Sequence, residues 1–182
     1  MRYNMKLKER VEMDVFSWLF ENKANKKNTV ETLKRELASS EIRYDSSLVT
    51  ALKDDHQQLL RMYVEIKQNA EAGQYERIGL GLRDFKHALQ SHLVVENIRF
   101  YVYLQQYFAS DMAASSLISD LRHDMDGIAN AVIRFIYRYE YAEFNAEMID
   151  KFLSEFAEIG KVLVQRIQTE ESKLYTIYMP KY

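Results

Sequence analysis

Apolar side chains recur at three- and four-residue intervals along almost the whole chain, the spacing that lines one face of an α-helix. Polar breaks divide this pattern into four long segments: Ser46 to Ala72, Gln74 to Phe108, Asp111 to Tyr139 and Asn145 to Tyr178. Ser46 and Ser47 offer caps for the first, and Gly73 offers a residue that can end it. Gly79 and Gly81 lie near the start of the second and are expected to loosen it there. The connections, at A-G, A-S-D and Y-A-E-F-N, are short, and short connections force consecutive helices to run antiparallel. The pattern therefore predicts an all-α fold, an antiparallel up-down-up-down four-helix bundle. Ahead of it, Val11, Val15, Trp18 and Leu19 form the stripe of a short helix. Asn25 to Asn28 are a polar break, and Thr29 caps a second helix with a thinner stripe. Residues 1–45 are thus expected to be an N-terminal helical extension and residues 46–182 the bundle.

Composition narrows the class. With 182 residues the chain suits one domain with a small extension, large enough to bury a core without staples. A single proline, Pro180, leaves little to break helices. Aromatic residues make up 13% of the chain, more than a plain helical bundle needs, and argue for a thick core. The absence of cysteine excludes disulfides, zinc–thiolate sites, iron–sulfur clusters and thiol catalysis. A net charge of −2 with mixed signs gives no electrostatic case for nucleic acid. No apolar run reaches the roughly 20 residues of a membrane span. The basic N-terminus is not followed by the apolar stretch of a signal peptide, so a cytoplasmic location is expected.

The antiparallel topology brings polar groups to one height. His56 lies about 16 residues before the first turn and His92 about 18 after it, within one helical turn of each other. His92 is about 17 residues before the second turn and His123 about 13 after it. Arg166 and Glu170, about 23 to 27 residues beyond the third turn, fit least well. Every long helix thus carries a polar group to the middle of the bundle, whereas chance placement would scatter them. Glu96 follows His92 at i+4 on the same face. Histidines and carboxylates on the inner faces of bundle helices are a means of holding non-haem iron or manganese. His87, five residues before His92, points away from that face and reads as a surface residue. Tyr137, Tyr139 and Tyr141 lie near a bundle end and read as packing or a partner surface.

The motifs D-H-Q-Q-L at 55–59, H-L-V-V-E-N at 92–97, H-D-M-D at 123–126 and R-I-Q-T-E-E-S-K-L-Y at 166–175 resemble those of the hemerythrin-like cation-binding family. That family has D-H-x-x-L, H-x-x-x-E-N/E, a helix with a lone histidine, and H-x-x-x-E-E followed by L-Y/F-P. The resemblance covers roughly residues 46–178 and implies a bridged di-iron centre concerned with oxygen binding, redox sensing or iron handling. It implies metal ligation by His56, His92, Glu96, His123 and Glu170. This chain departs from the pattern at Arg166, which stands where the last histidine belongs and cannot ligate a cation. It departs again at Gly127, where the oxygen carriers have another histidine. One iron or two under-coordinated irons are therefore expected, with dioxygen as a partner but not as cargo.

Two functions remain open on these grounds. One is an iron protein that senses oxygen, redox state or iron, or handles iron. The other is a metal-free bundle in which Arg166 neutralises Glu96 and Glu170, acting as a regulatory module through a homodimer or protein partner at the N-terminal helix. An oxidase-like enzyme has least support, because paired E-x-x-H motifs, a nucleophile–base pair and a phosphate loop are all lacking. No enzymatic activity is expected.

Overall fold

The computed structural model describes residues 42–180. The readings of Val11 to Leu19, Asn25 to Asn28 and Thr29 lie outside the described residues. The described chain is helical: α1 (Leu48–Glu71), α2 (Tyr75–Val95), a π-helical stretch Glu96–Tyr101, α3 (Val102–Tyr107), α4 (Met112–Tyr139) and α5 (Ala146–Thr169). A second π-helical stretch, Glu170–Leu174, and a 3₁₀ turn, Tyr175–Ile177, complete it. The helices α1, α2, α4 and α5 pack in a ring in chain order, with α5 closing onto α1. This is the antiparallel four-helix bundle that the short connections require.

The segment ends follow local chemistry. Gly73 takes φ +70° and ends α1, with its N–H on the Ala70 carbonyl and that of Gln74 on Asn69. Asp111 caps α4 by accepting from the N–H groups of Ala113 and Ala114, and Asn145 caps α5 by accepting from Met148. Ser47 stands at the start of α1 but makes no cap; its hydroxyl donates instead to Asp45 Oδ1. Residues 42–45 lie against the bundle. The Ile42 N–H donates to Gln106 Oε1, and Arg99 meets Asp45 at 2.6 Å.

Gly79 and Gly81 do not loosen α2, which runs unbroken from Tyr75. They sit where helices approach closely. A Cβ on Gly79 would stand 2.6 Å from the Glu140 carbonyl oxygen, and one on Gly81 would stand 2.7 Å from Ile66 Cγ1. At the same crossing Lys86 meets the buried Glu140 carboxylate at 2.6 Å.

The aromatic residues account for themselves in two stacks, one at each end of the bundle. Phe100, Tyr101, Tyr103, Tyr175 and Tyr178 fill the end where α1 begins. Phe135, Tyr139, Phe152 and Phe156 fill the other, with Tyr63 stacked on Phe156. Tyr139 is thus core, whereas Tyr137 and Tyr141 are exposed. The polar middle of the bundle is walled off above and below by apolar layers.

Alanine at position 79 should destabilise the fold by about 1–3 kcal/mol, because the clash is with backbone that cannot rotate away. Alanine at the exposed Gly127, where a Cβ meets nothing within 4 Å, should gain about 0.5–1 kcal/mol from helix preference. Chemical denaturation of the two variants checks both signs.

Candidate metal centre

Between the two aromatic stacks, α1, α2 and the end of α5 converge on a small cavity of about 20 Å³ bordered by His56, His92, Arg166 and Glu170. His56 and His92 lie with their ring centroids 4.8 Å apart. His56 Nε2 is 3.2 Å from Glu170 Oε2. Among the described residues, one ligand atom each from His56, His92 and Glu170 lies within 4.8 Å of the others, and all three residues are buried. Glu96 is fully buried, with Oε2 3.9 Å from His92 Nε2. That Glu96 oxygen has no hydrogen-bond partner among the described residues.

The outward nitrogens of both imidazoles meet carboxylates. His56 Nδ1 lies 2.9 Å from Glu171 Oε1, and His92 Nδ1 lies 3.4 Å from Asp55 Oδ2. The pairing fixes each ring so that Nε2 faces the cavity. Asp55 and His92 also border an open groove of about 380 Å³ between α1 and α2, which reaches the surface.

Arg166 closes the other side. Its Nε donates to Glu170 Oε1 at 2.6 Å and its guanidinium also donates to the Tyr101 hydroxyl. The Tyr175 hydroxyl is 3.4 Å from both Glu96 Oε1 and His56 Nε2. Asn97 holds Arg122 at 2.8 Å and donates to the Leu93 carbonyl.

Charge follows from these contacts. Burial opposes a charge on His56, but Glu170 and Glu171 outweigh it and hold its pKa above the usual imidazole value. Burial and the neighbouring His56 push His92 below that value. Burial and the charge of Glu170 raise Glu96 well above the carboxylate range, against the pull of Arg166. Glu170 is lowered despite its burial, because His56 and Arg166 both favour its ionised form.

Both π-helical stretches begin on a site carboxylate, Glu96 in one and Glu170 in the other. The wider turn re-aims the side chains that follow, which is why such turns recur at functional sites. Here it brings Tyr101 and Tyr175 towards the same polar centre.

Four of the five residues expected as ligands, His56, His92, Glu96 and Glu170, are brought together. His123 is not: it is exposed on α4. The inner stripe of that helix runs through Ile118, Met125, Ala129 and Val132. His123 is two residues, about 200° of helix, from Met125. Met125 borders the cavity, so the height expected for His123 holds but its face does not. Leu117, on the same side of α4 as the solvent, is 58% exposed. His87 is exposed, as its spacing from His92 implies. The sequence reading missed Asp55, Glu171, Tyr101 and Tyr175. The adjacent D-H and E-E pairs carry a signal for the first two; the tyrosines depend on the π turns.

The donor set suits a metal ion. Two ligands at right angles on one ion, each with a bond of about 2.1 Å, stand about 3 Å apart, close to the His56–Glu170 separation. The unpartnered Glu96 oxygen offers such an ion a buried carboxyl donor, anionic once its proton is given up. A family model for the hemerythrin HHE cation-binding domain matches residues 47–178. No curated protein and no solved structure matches the chain.

In metal-free protein the Glu171 pairing should stabilise the fold through protonated His56. Its folded pKa is raised, so that contribution is full below the unfolded value of about 6.5 and disappears as pH rises through the folded value. Glu171→Gln should therefore lose stability relative to the native chain at low pH and approach it at high pH. Denaturation across the pH range checks the sign; a gap that widens with rising pH would refute the assignment.

Proposed function

The chain belongs to the hemerythrin HHE cation-binding family, and we propose that its bundle holds non-haem iron between His56, His92, Glu96 and Glu170. We assign it to oxygen, redox or iron sensing, or to iron handling, and not to oxygen transport or catalysis. The observation that carries this reading is the orientation of the two buried imidazoles. Each has Nδ1 on a carboxylate at the outer side and Nε2 aimed at the carboxylates within. A histidine that ligates a metal is commonly held in this way by an outer partner, which fixes the tautomer and raises its basicity. Histidine packed only for stability has no need of two opposed carboxylates.

Iron bound there would supply a redox-active centre. The residues do the rest. With the ion bound, His56 and His92 would present neutral nitrogens and Glu96 and Glu170 would balance the charge, while the aromatic stacks keep bulk water away. Tyr175 donates to Glu96 and orients it. The cavity of about 20 Å³ matches a water or a diatomic molecule and leaves no room for an organic substrate. Oxygen transport is disfavoured because α4 turns Met125, not a histidine, towards the cavity. The groove beside Asp55 and His92 offers the ion a path from the surface.

One contact favours a second reading. Arg166 already neutralises Glu170 at 2.6 Å, as a metal would. In that reading the bundle is a metal-free regulatory module that binds a protein partner or a second copy through its N-terminal segment.

Metal analysis of the full chain, produced with added iron and purified without chelator, separates the two. Stoichiometric iron with an absorption band that changes on exposure to air is expected. Alanine at His92 or Glu96 should abolish both, and alanine at His123 should leave both intact. Iron retained at full level by the His92 and Glu96 variants would remove the assignment of this site. A native chain with no stoichiometric metal would leave the metal-free module.

A further inference from the structure

We propose that the Arg166 guanidinium is a resident cation in the place of a second metal ion, so that the pocket binds one ion, joined to Arg166 through Glu170. The inference rests on the metal-binding reading above and adds the number of ions and the reason for it.

The donors are gathered on one side. His56, His92 and Glu170 come from α1, α2 and the end of α5, with Glu96 from the π turn after α2. At the same height α4 contributes Met125 and an exposed His123, so it brings no donor to the cavity. Arg166 occupies that poor side. It is buried to 6% exposure and borders both the cavity and the separate groove between α4 and α5.

Glu170 uses its two oxygens in opposite directions. Oε2 faces His56 at 3.2 Å, while Oε1 accepts from Arg166 at 2.6 Å. A carboxylate shared in this way bridges two cations, and here one of the two is covalently part of the chain. Guanidinium keeps its charge at every pH the protein meets and has five donors and no acceptor. It can therefore satisfy Glu170 and Tyr101, but it cannot share a ligand shell with an ion. A second divalent ion beside it would add like charge to a buried pocket in which only Glu96 and Glu170 are opposed to it. The stabilising partner would become a repulsive one.

The test titrates metal-free full-length protein with cobalt(II) and counts bound ions by native mass spectrometry, with thermal melting in parallel. The native chain should stop at one ion. Arg166→Lys, which keeps the positive charge, should also stop at one. Arg166→His, which removes the permanent charge and adds a donor beside Glu170, should take two. Metal-free Arg166→Gln should melt below the native chain, and excess cobalt should narrow the gap. Two ions on the native chain would overturn this inference and leave the metal-binding reading standing. One ion on a folded Arg166→His would equally overturn it, since removing the guanidinium would then have opened nothing. No ion on any of these proteins would overturn the inference together with the metal-binding reading.

Discussion

The Glu170 carboxylate between His56 and Arg166 is the contact on which the centre of this bundle depends. It is 2% exposed, so its charge has no help from water. Deleting one partner of a buried ion pair leaves an uncompensated charge and costs about 3–5 kcal/mol. The same carboxylate therefore constrains two elements at once. It holds α1 through His56 and fixes the rotamer of Arg166 one turn earlier on α5. Glu96 has no equivalent partner on Oε2, and that asymmetry makes the two carboxylates chemically different. One is kept ionised by resident cations, whereas burial and the charge of Glu170 drive the other towards its neutral form.

Such a centre is tolerable only because the rest of the core is apolar and rigid. The aromatic stacks at the two ends hold the helices at fixed spacing. The close approaches at Gly79 and Gly81 lock α2 against α1 and the end of α4. Interiors packed in this way resist continuous deformation, so the nitrogens and oxygens at the centre keep fixed separations. The inner nitrogens of His56 and His92 are positioned by Glu171 and Asp55, which are themselves nearer to solvent. Order in the middle is thus imposed from outside inward.

Much of this was legible in the sequence. The helix pattern and short connections give the bundle, and counting residues from each turn places His56 and His92 at one height. Gly73 marks a helix end by its backbone conformation, and Asp111 and Asn145 mark helix starts by side chains that cap them. Three features escaped for physical reasons. Height along a helix can be counted from a turn, but the face of α4 depends on which stripe docks, and Ile118, Met125 and Ala129 prevailed over His123. A regular repeat of 3.6 residues per turn cannot foresee the π turns at Glu96 and Glu170, which bring Tyr101 and Tyr175 to the site. Gly79 looks like a helix breaker only when its neighbour, the Glu140 carbonyl, is unseen.

Arg166 shows why a departure from a motif carries information. A histidine replaced by alanine would have left a cavity and a carboxylate without a partner, and the bundle would have lost stability. Arginine fills the volume and supplies a charge in one step, at a residue whose i+4 neighbour is the carboxylate that needs it. The substitution therefore maintains the electrostatic balance of the fold whether or not an ion is bound. It also makes the pocket unequal: one side has imidazole and carboxyl groups that can gain or lose a proton, and the other has a charge that cannot leave. Under the metal-binding reading an ion would meet donors at one place only, from His56, His92, Glu96 and Glu170, while Arg166 balances the Glu170 charge with or without it.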